Sequence, residues 1–184
     1  MHKQAVGIVG PIRAGKDTAG EYLANILKIP VLQISSTIKM ICAERNLETT
    51  RDNLIKLGNE LAREHGDGFL AEYLVANSPK KFVITGMRQL GQIQFLQENT
   101  DFILIAVDAK PEIRFVRAQD KLKQGEAVTI EEFIKKEQAE NSPPNKQRLF
   151  ECMKLADHTI KNEKSLDDLY SQLDKIINKL SFDT

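Results

Sequence analysis

Short apolar runs alternate with amphipathic stretches along the whole chain. That is the pattern of strand–helix–strand units forming a mostly parallel sheet between helices. Residues 5–9 make the first predicted strand, apolar and running directly into a turn. Residues 16–28 read as a helix with Ala19, Tyr22, Leu23, Ile26 and Leu27 on one face, stopped by Pro30. A second short strand covers 31–34, and Ser35 or Ser36 is placed to cap a helix to about Arg45. Thr50 caps a longer helix through Glu64, with Leu54, Leu57 and Leu61 on its buried stripe. Gly66-Asp67-Gly68 breaks it, and 69–76 form one more helix before Pro79.

Residues 82–85 and 102–107 are apolar enough to be central strands covered on both faces, with a helix over 90–97 between them. A helix over 112–123 follows the strand ending at Asp108. Thr129-Ile130-Glu131-Glu132 is a capping-box pattern opening a polar helix that ends before Pro143-Pro144. Residues 159–161 form a last strand. Ser165 then caps a final helix on which Leu166, Leu169, Tyr170, Leu173, Ile176, Ile177 and Leu180 recur at helical spacing, the clearest amphipathic signal in the chain. No internal repeat interrupts this order. The charged segment 122–149 reads as a mobile lid rather than a linker.

Composition narrows the class. A length of 184 residues suits one domain, 1–184, with room for a lid. Lys+Arg and Asp+Glu number 26 each, which argues against a protein that coats nucleic acid but leaves room for arginines gripping a small polyanion. Cys42 and Cys152 lie far apart without metal-ligand spacing, so neither a disulfide framework nor a zinc site is expected. No run approaches the ~18 apolar residues of a membrane span, and the start Met1-His2-Lys3-Gln4 is not signal-like. A reducing, cytoplasmic setting is the expectation.

Gly10-Pro11-Ile12-Arg13-Ala14-Gly15-Lys16-Asp17-Thr18 has the spacing G-x-x-x-x-G-K, directly after a strand and opening a helix. Glycines let the backbone wrap so that N–H groups point inward, and the helix N-terminus adds partial positive charge. Lys16 is placed to reach β- and γ-phosphates. A glycine-rich turn with an accidental lysine is the bland alternative, and strand, loop and helix in sequence argue against it. Where the pattern has Ser or Thr after the lysine, this chain has Asp17, followed by Thr18. Asp17 is either a direct ligand of Mg²⁺, with Thr18 on the α-phosphate, or simply a favourable acid in the first helical turn.

Phosphoryl transfer needs positioning and positive charge, which makes arginines at loop positions informative. Arg88, in Thr85-Gly86-Met87-Arg88, falls at the carboxyl edge of the sheet, where open α/β sheets bind ligands. Arg114 and Arg117 precede the charged insertion, Arg13 lies in the loop, and Arg51 and Arg63 flank the long middle helix. His2, His65 and His158 are scattered, with His65 finishing a helix. Lys80-Lys81 read as a solvated edge, Cys42 and Cys152 as core. Phe69, Tyr73 and Phe95 read as core packing rather than an acceptor base pocket.

The blocks GPIRAGKDT, VLQISSTIK, VITGMR, FILIAVDAKPEIRFVRAQDK and LADHTIKNEKSLDDL, in this order, resemble P-loop nucleoside monophosphate kinases. Among these, the chain is similar to phage-type deoxynucleoside monophosphate kinases, dephospho-CoA kinases and an archaeal group of adenylate-kinase-related proteins. The resemblance covers nearly the whole chain, and its loop is the specific part. It implies a three-layer α/β fold with a five-stranded parallel sheet in the order 2-3-1-4-5, an acceptor-binding region at 36–76 and a helical lid at 122–149. It implies ATP and Mg²⁺, a small-molecule acceptor, and neither a nucleic acid polymer nor a membrane as partner. By position, Gly10, Arg13, Ala14, Gly15, Lys16, Asp17 and Thr18 would bind the donor, with Asn162 in the loop lining adenine. Lys16, Arg88 and Arg117 would be catalytic: Arg88 on the acceptor phosphate, Arg117 at the base of the lid on ATP phosphates or near adenine.

Two positions depart from that family. Thr85 stands where relatives carry an Asp for the metal's water shell, leaving Asp17 or Asp108 to compensate. Lys135-Lys136 replace lid arginines, keeping charge but losing the planar fork. Gln33-Ile34-Ser35-Ser36-Thr37 also lacks the carboxylate that a hydroxyl acceptor would use as base, whereas a phosphate acceptor, with a second pKa of ~6, needs none. The expected activity is therefore transfer of the γ-phosphoryl group of Mg-ATP to a nucleoside or deoxynucleoside 5′-monophosphate. Transfer to a 3′-hydroxyl, as in dephospho-CoA kinase, is one alternative. A catalytically weak nucleotide-binding regulator is the other. Acceptor identity and oligomeric state stay open.

Overall fold

A computed structural model of the chain describes residues 3–119, 129–143 and 147–179. In chain order the elements are β1 (Lys3–Val9), α1 (Lys16–Leu27), β2 (Val31–Gln33), α2 (Ile34–Glu44), α3 (Arg51–His65), α4 (Phe69–Ala76), β3 (Lys81–Thr85), α5 (Leu90–Asn99), β4 (Thr100–Asp108), α6 (Pro111–Gln119), α7 (Ile130–Glu140), α8 (Leu149–Lys154), β5 (His158–Lys161) and α9 (Leu166–Ile177). The strands hydrogen-bond in the order β2-β3-β1-β4-β5, and each neighbouring pair is parallel. This is the expected topology.

The central strands are apolar throughout because both faces are covered. On β1, Ala5 and Val9 join a core with Leu57, Leu61, Leu70, Ile93, Leu96, Leu149 and Cys152. Val6 and Ile8 point the other way, to Ala19 and Leu23 of α1 and Leu169, Leu173 and Ile176 of α9. Helices therefore sandwich the sheet in three layers. None of the described helices is long and apolar enough to cross a membrane.

Three expected caps form. Thr50 accepts from Asn53 N (3.2 Å), Thr129 from Glu132 N (3.2 Å) and Ser165 from Asp168 N (3.2 Å). The serine cap of α2 does not. Its helix starts at Ile34, with extended Gln33 (φ −116°, ψ 119°) as N-cap. Burial of Ile34 in the core outweighs the serine's preference, and Ser36 Oγ instead donates to Gln33 Oε1 (3.3 Å). α6 begins at Pro111, whose locked φ suits a first helical position. Its expected end at 123 lies outside the described residues, as does Leu180. The expected lid, 122–149, is described over 129–143 and 147–149, where it carries α7 and the start of α8. α8 is a short helix that periodicity did not mark.

Candidate active site

The glycine positions of the loop are sterically required. A Cβ on Gly10 would stand 2.2 Å from the Val107 carbonyl oxygen, and one on Gly15 2.3 Å from Asn162 Nδ2. Gly15 also has φ 98°, and Arg13 turns left-handed at φ 61°. Outside the loop, donors grip its carbonyls in succession. Arg114 Nη1 reaches Ile12 O (3.3 Å), Arg117 Nη1 reaches Arg13 O (3.4 Å) and Asn162 Nδ2 reaches Ala14 O (2.8 Å). In a trans peptide the N–H points opposite the C=O, so pulling carbonyls outward turns the N–H groups of Arg13 and Gly15 inward. No side chain caps α1 at Gly15. The first-turn amides therefore have no capping partner from the Gly15 position.

These amides face a pocket of about 780 Å³, whose wall carries Arg13, Lys16, Arg88, Arg117 and Lys164 against Asp17 and Glu21. A surplus of cations over a concave loop suits a polyanion. Lys16 Nζ lies 3.1 Å from Asp17 Oδ2, with the lysine side chain 15% exposed and the aspartate 57%. Arg13 Nε is buried with no hydrogen-bond partner. Among the described residues no group of three or more His, Cys, Asp or Glu could hold a metal. Asp17 and Glu21 are the carboxylates among the described residues lining this pocket, and magnesium takes one or two carboxylates, completing its octahedron with phosphate oxygens and water.

Arg88 lines the same pocket. Its backbone is fixed by Gln92 Oε1, which accepts from Arg88 N (2.9 Å), and by Arg148 N, which donates to Arg88 O (2.7 Å). Its Nη1 donates to Gln147 Oε1 (3.1 Å) and lies 3.7 Å from Glu140 Oε2. Burial and the nearby Arg51 push its pKa below the ordinary arginine value, against the pull of Glu140, Asp17 and Glu137. Arg51 meets the same Glu140 through two bonds, Nε to Oε1 (2.6 Å) and Nη2 to Oε2 (2.8 Å). One turn earlier on α7, Glu137 takes both terminal nitrogens of Arg114 (2.7 and 2.9 Å).

The structure thus brings Gly15, Arg13, Lys16, Asp17, Thr18, Arg88, Arg117 and Asn162 to one pocket. Gly10 and Ala14 shape the loop from behind. The side chain of Asn162 is turned to Ala14 O and that of Arg117 to the carbonyls of Arg13 and Asn162, so both brace the cradle from its wall. Thr85 is buried beneath α1, its methyl 2.9 Å from where a Gly20 Cβ would be. Asp108 accepts from Lys161 Nζ (2.6 Å) and Ala109 N (2.9 Å) and does not line the pocket. Lys135 and Lys136 lie on the exposed face of α7, while Phe133, Glu137 and Glu140 turn inward. Arg63 is tied to its own helix at Asn59 O (3.1 Å).

Glu21, Lys164 and Leu166 line the pocket without a motif to mark them. Leu166, expected on the buried stripe of α9, is 56% exposed at the pocket wall because it opens the helix before the first buried position, Leu169. Glu137 and Glu140 had a weak signal: carboxylates three apart, on the face of α7 that Phe133 marks as buried.

No known family model matches the chain. A UPF0200/UPF0201 protein of Archaeoglobus fulgidus is 28% identical over 189 residues, covering 98% of this chain, which spans 57% of that relative's length. A UPF0200 protein of Methanocaldococcus jannaschii is 26% identical over 181 residues, covering 95% of this chain and 89% of the relative. Among solved structures, shikimate kinase from Acinetobacter baumannii, in complex with shikimate, superimposes with a TM-score of 0.59 at 16% identity, over 97% of this chain and 96% of that one. The fold is that of P-loop kinases.

Proposed function

We propose that the protein transfers the γ-phosphoryl group of Mg-ATP to a nucleoside or deoxynucleoside 5′-monophosphate. The observation that carries this reading is that one pocket joins the Lys16 cradle to Arg88, with Arg51 held beside Arg88 through Glu140. Transfer between phosphates would use cationic groups for a donor and for an acceptor within one pocket.

The inward amides and Lys16 would hold the donor's phosphates. Asp17 would hold magnesium, which when bound neutralises charge on the phosphate oxygens. Arg88 and Arg51 would grip the acceptor phosphate with planar forks, orienting its oxygen toward the donor. Arg114 and Arg117 keep the loop carbonyls outward, so the amides need no rearrangement as charge develops. α7, reaching both ends, would help exclude water.

A hydroxyl acceptor of the dephospho-CoA kind is favoured less. The carboxylate at the acceptor end, Glu140, has both oxygens engaged by Arg51 and is poorly placed to take a proton. The deciding experiment measures ADP formation from Mg-ATP with a panel of ribo- and deoxyribonucleoside 5′-monophosphates and, separately, dephospho-CoA. Acceptor-dependent turnover with a monophosphate supports the reading. Turnover only with dephospho-CoA selects the alternative. ATP binding with no transfer to any of them leaves a nucleotide-binding regulator.

A further inference from the structure

We infer that Glu140 is a built-in occupant of the acceptor clamp: α7 docks its carboxylate between Arg51 and Arg88, and an incoming phosphate monoester takes those guanidinium groups by releasing it. This rests on the proposed acceptor role of the two arginines and adds the group with which an acceptor phosphate competes for them.

Three observations carry it. First, the carboxylate uses a phosphate's geometry. Both oxygens of Glu140 sit on one guanidinium edge at 2.6 and 2.8 Å, and one of them is 3.7 Å from the second arginine. Second, the helix face is selected. Glu140 is 7% exposed while its neighbours Gln138 and Ala139 are exposed, so α7 is rotated to send this charge inward. Third, charge balances incompletely. Two arginines against one carboxylate leave a positive unit; a phosphate dianion in place of Glu140 would neutralise both arginines, whereas another carboxylate in its place would not.

The exchange therefore favours phosphate over carboxylate ligands. α7 keeps its other tie, Arg114–Glu137, and through Arg114 its link to Ile12 O of the donor loop. Release of Glu140 frees the last residue of α7 while Glu137, one turn earlier, stays attached. Acceptor arrival is thereby reported to the helix that spans both ends of the site.

The test titrates inorganic phosphate by calorimetry into the full chain, its Lys16 loop first saturated with a non-hydrolysable Mg-ATP analogue, comparing wild type with Glu140→Gln and Glu140→Ala. Removing the internal competitor should tighten phosphate binding about tenfold or more. In turnover it should lower the acceptor KM and leave the ATP KM unchanged. In wild type, phosphate should speed amide hydrogen exchange across 130–140, a readout that needs no variant. Unchanged or weaker phosphate binding in folded Glu140 variants overturns the inference and makes Glu140 a positioning residue for the two arginines. Unaltered exchange in wild type saturated with phosphate overturns it as well. Arg51→Ala and Arg88→Ala separate the two levels. If phosphate affinity does not depend on these arginines, the acceptor reading itself fails. If it depends on them but is not raised in Glu140→Gln, only the present inference fails.

Discussion

The side-chain amide of Asn162 lies against Gly15, 2.3 Å from where a Cβ would stand, while donating to the carbonyl of Ala14 at 2.8 Å. The loop after β5 is thus the outer mould of the phosphate cradle. Asn162 is itself fixed, its N–H donating to Asp108 O (2.7 Å) and its carbonyl accepting from Arg117 (3.0 Å). Gly15→Ala should therefore cost Mg-ATP affinity twice over, by collision and by forcing a side chain to φ 98°. Asn162→Ala, which only removes the bond to Ala14, should weaken ATP at least about fivefold and lower stability by about 1 kcal/mol. Calorimetry and thermal melts of both variants check the order.

Lys16→Ala should reduce Mg-ATP affinity by more than about tenfold, because Lys16 opens the helix that follows the loop and its side chain lines the same pocket. Its neighbour Asp17 loses an ion-pair partner at 3.1 Å, yet that carboxylate is mostly exposed, so the melting temperature should hardly move. A variant that melts like wild type and binds Mg-ATP equally well would remove the donor site from this loop.

Arg114 and Glu137 form a buried, bidentate pair, with Arg114 also over the Phe133 ring at 5.6 Å and bonded to Ala109 O (2.9 Å). Removing one partner leaves an uncompensated buried charge and should cost about 3–5 kcal/mol. Arg114→Met and Glu137→Leu should each destabilise strongly. The double variant should recover part of the loss, read by denaturant unfolding as a coupling energy.

Burial, with the nearby Glu151 adding to it, pushes the Cys152 thiol up to about 12 from an ordinary 9.0. The folded state thus keeps its proton where the unfolded chain loses it. This contribution to stability is full below pH 9.0 and declines as pH rises toward about 12. Cys152→Ala should be less stable than wild type at pH 7 through lost packing, and the gap should narrow above pH 9. Native protein should also react slowly with thiol reagents at pH 8. A gap constant from pH 7 to 11 would contradict this.

How much was readable follows from the range over which each feature is encoded. The caps Thr50, Thr129 and Ser165 act on amides three residues away, and the strand runs need only their own length. The misreadings are also local in kind. Ser35 and Ser36 obeyed cap preference until burial of Ile34 moved the helix start, and Leu166 fitted a periodicity whose first turn the core never covers. Lysines of α7 looked like the lid's functional charges because periodicity of polar residues does not say which face turns inward.

By itself the amino-acid sequence determined the layered sheet, the strand-to-helix loop and the cationic Lys16, since each is written in contiguous residues with strong steric or hydrophobic demands. Only tertiary structure decided which charges meet. Arg51 and Glu140 are 89 residues apart, Arg114 and Glu137 23, Asn162 and Ala14 148. Such pairs depend on helix rotation and crossing between separate elements, and a charged side chain carries no local mark of the partner that will repay its burial.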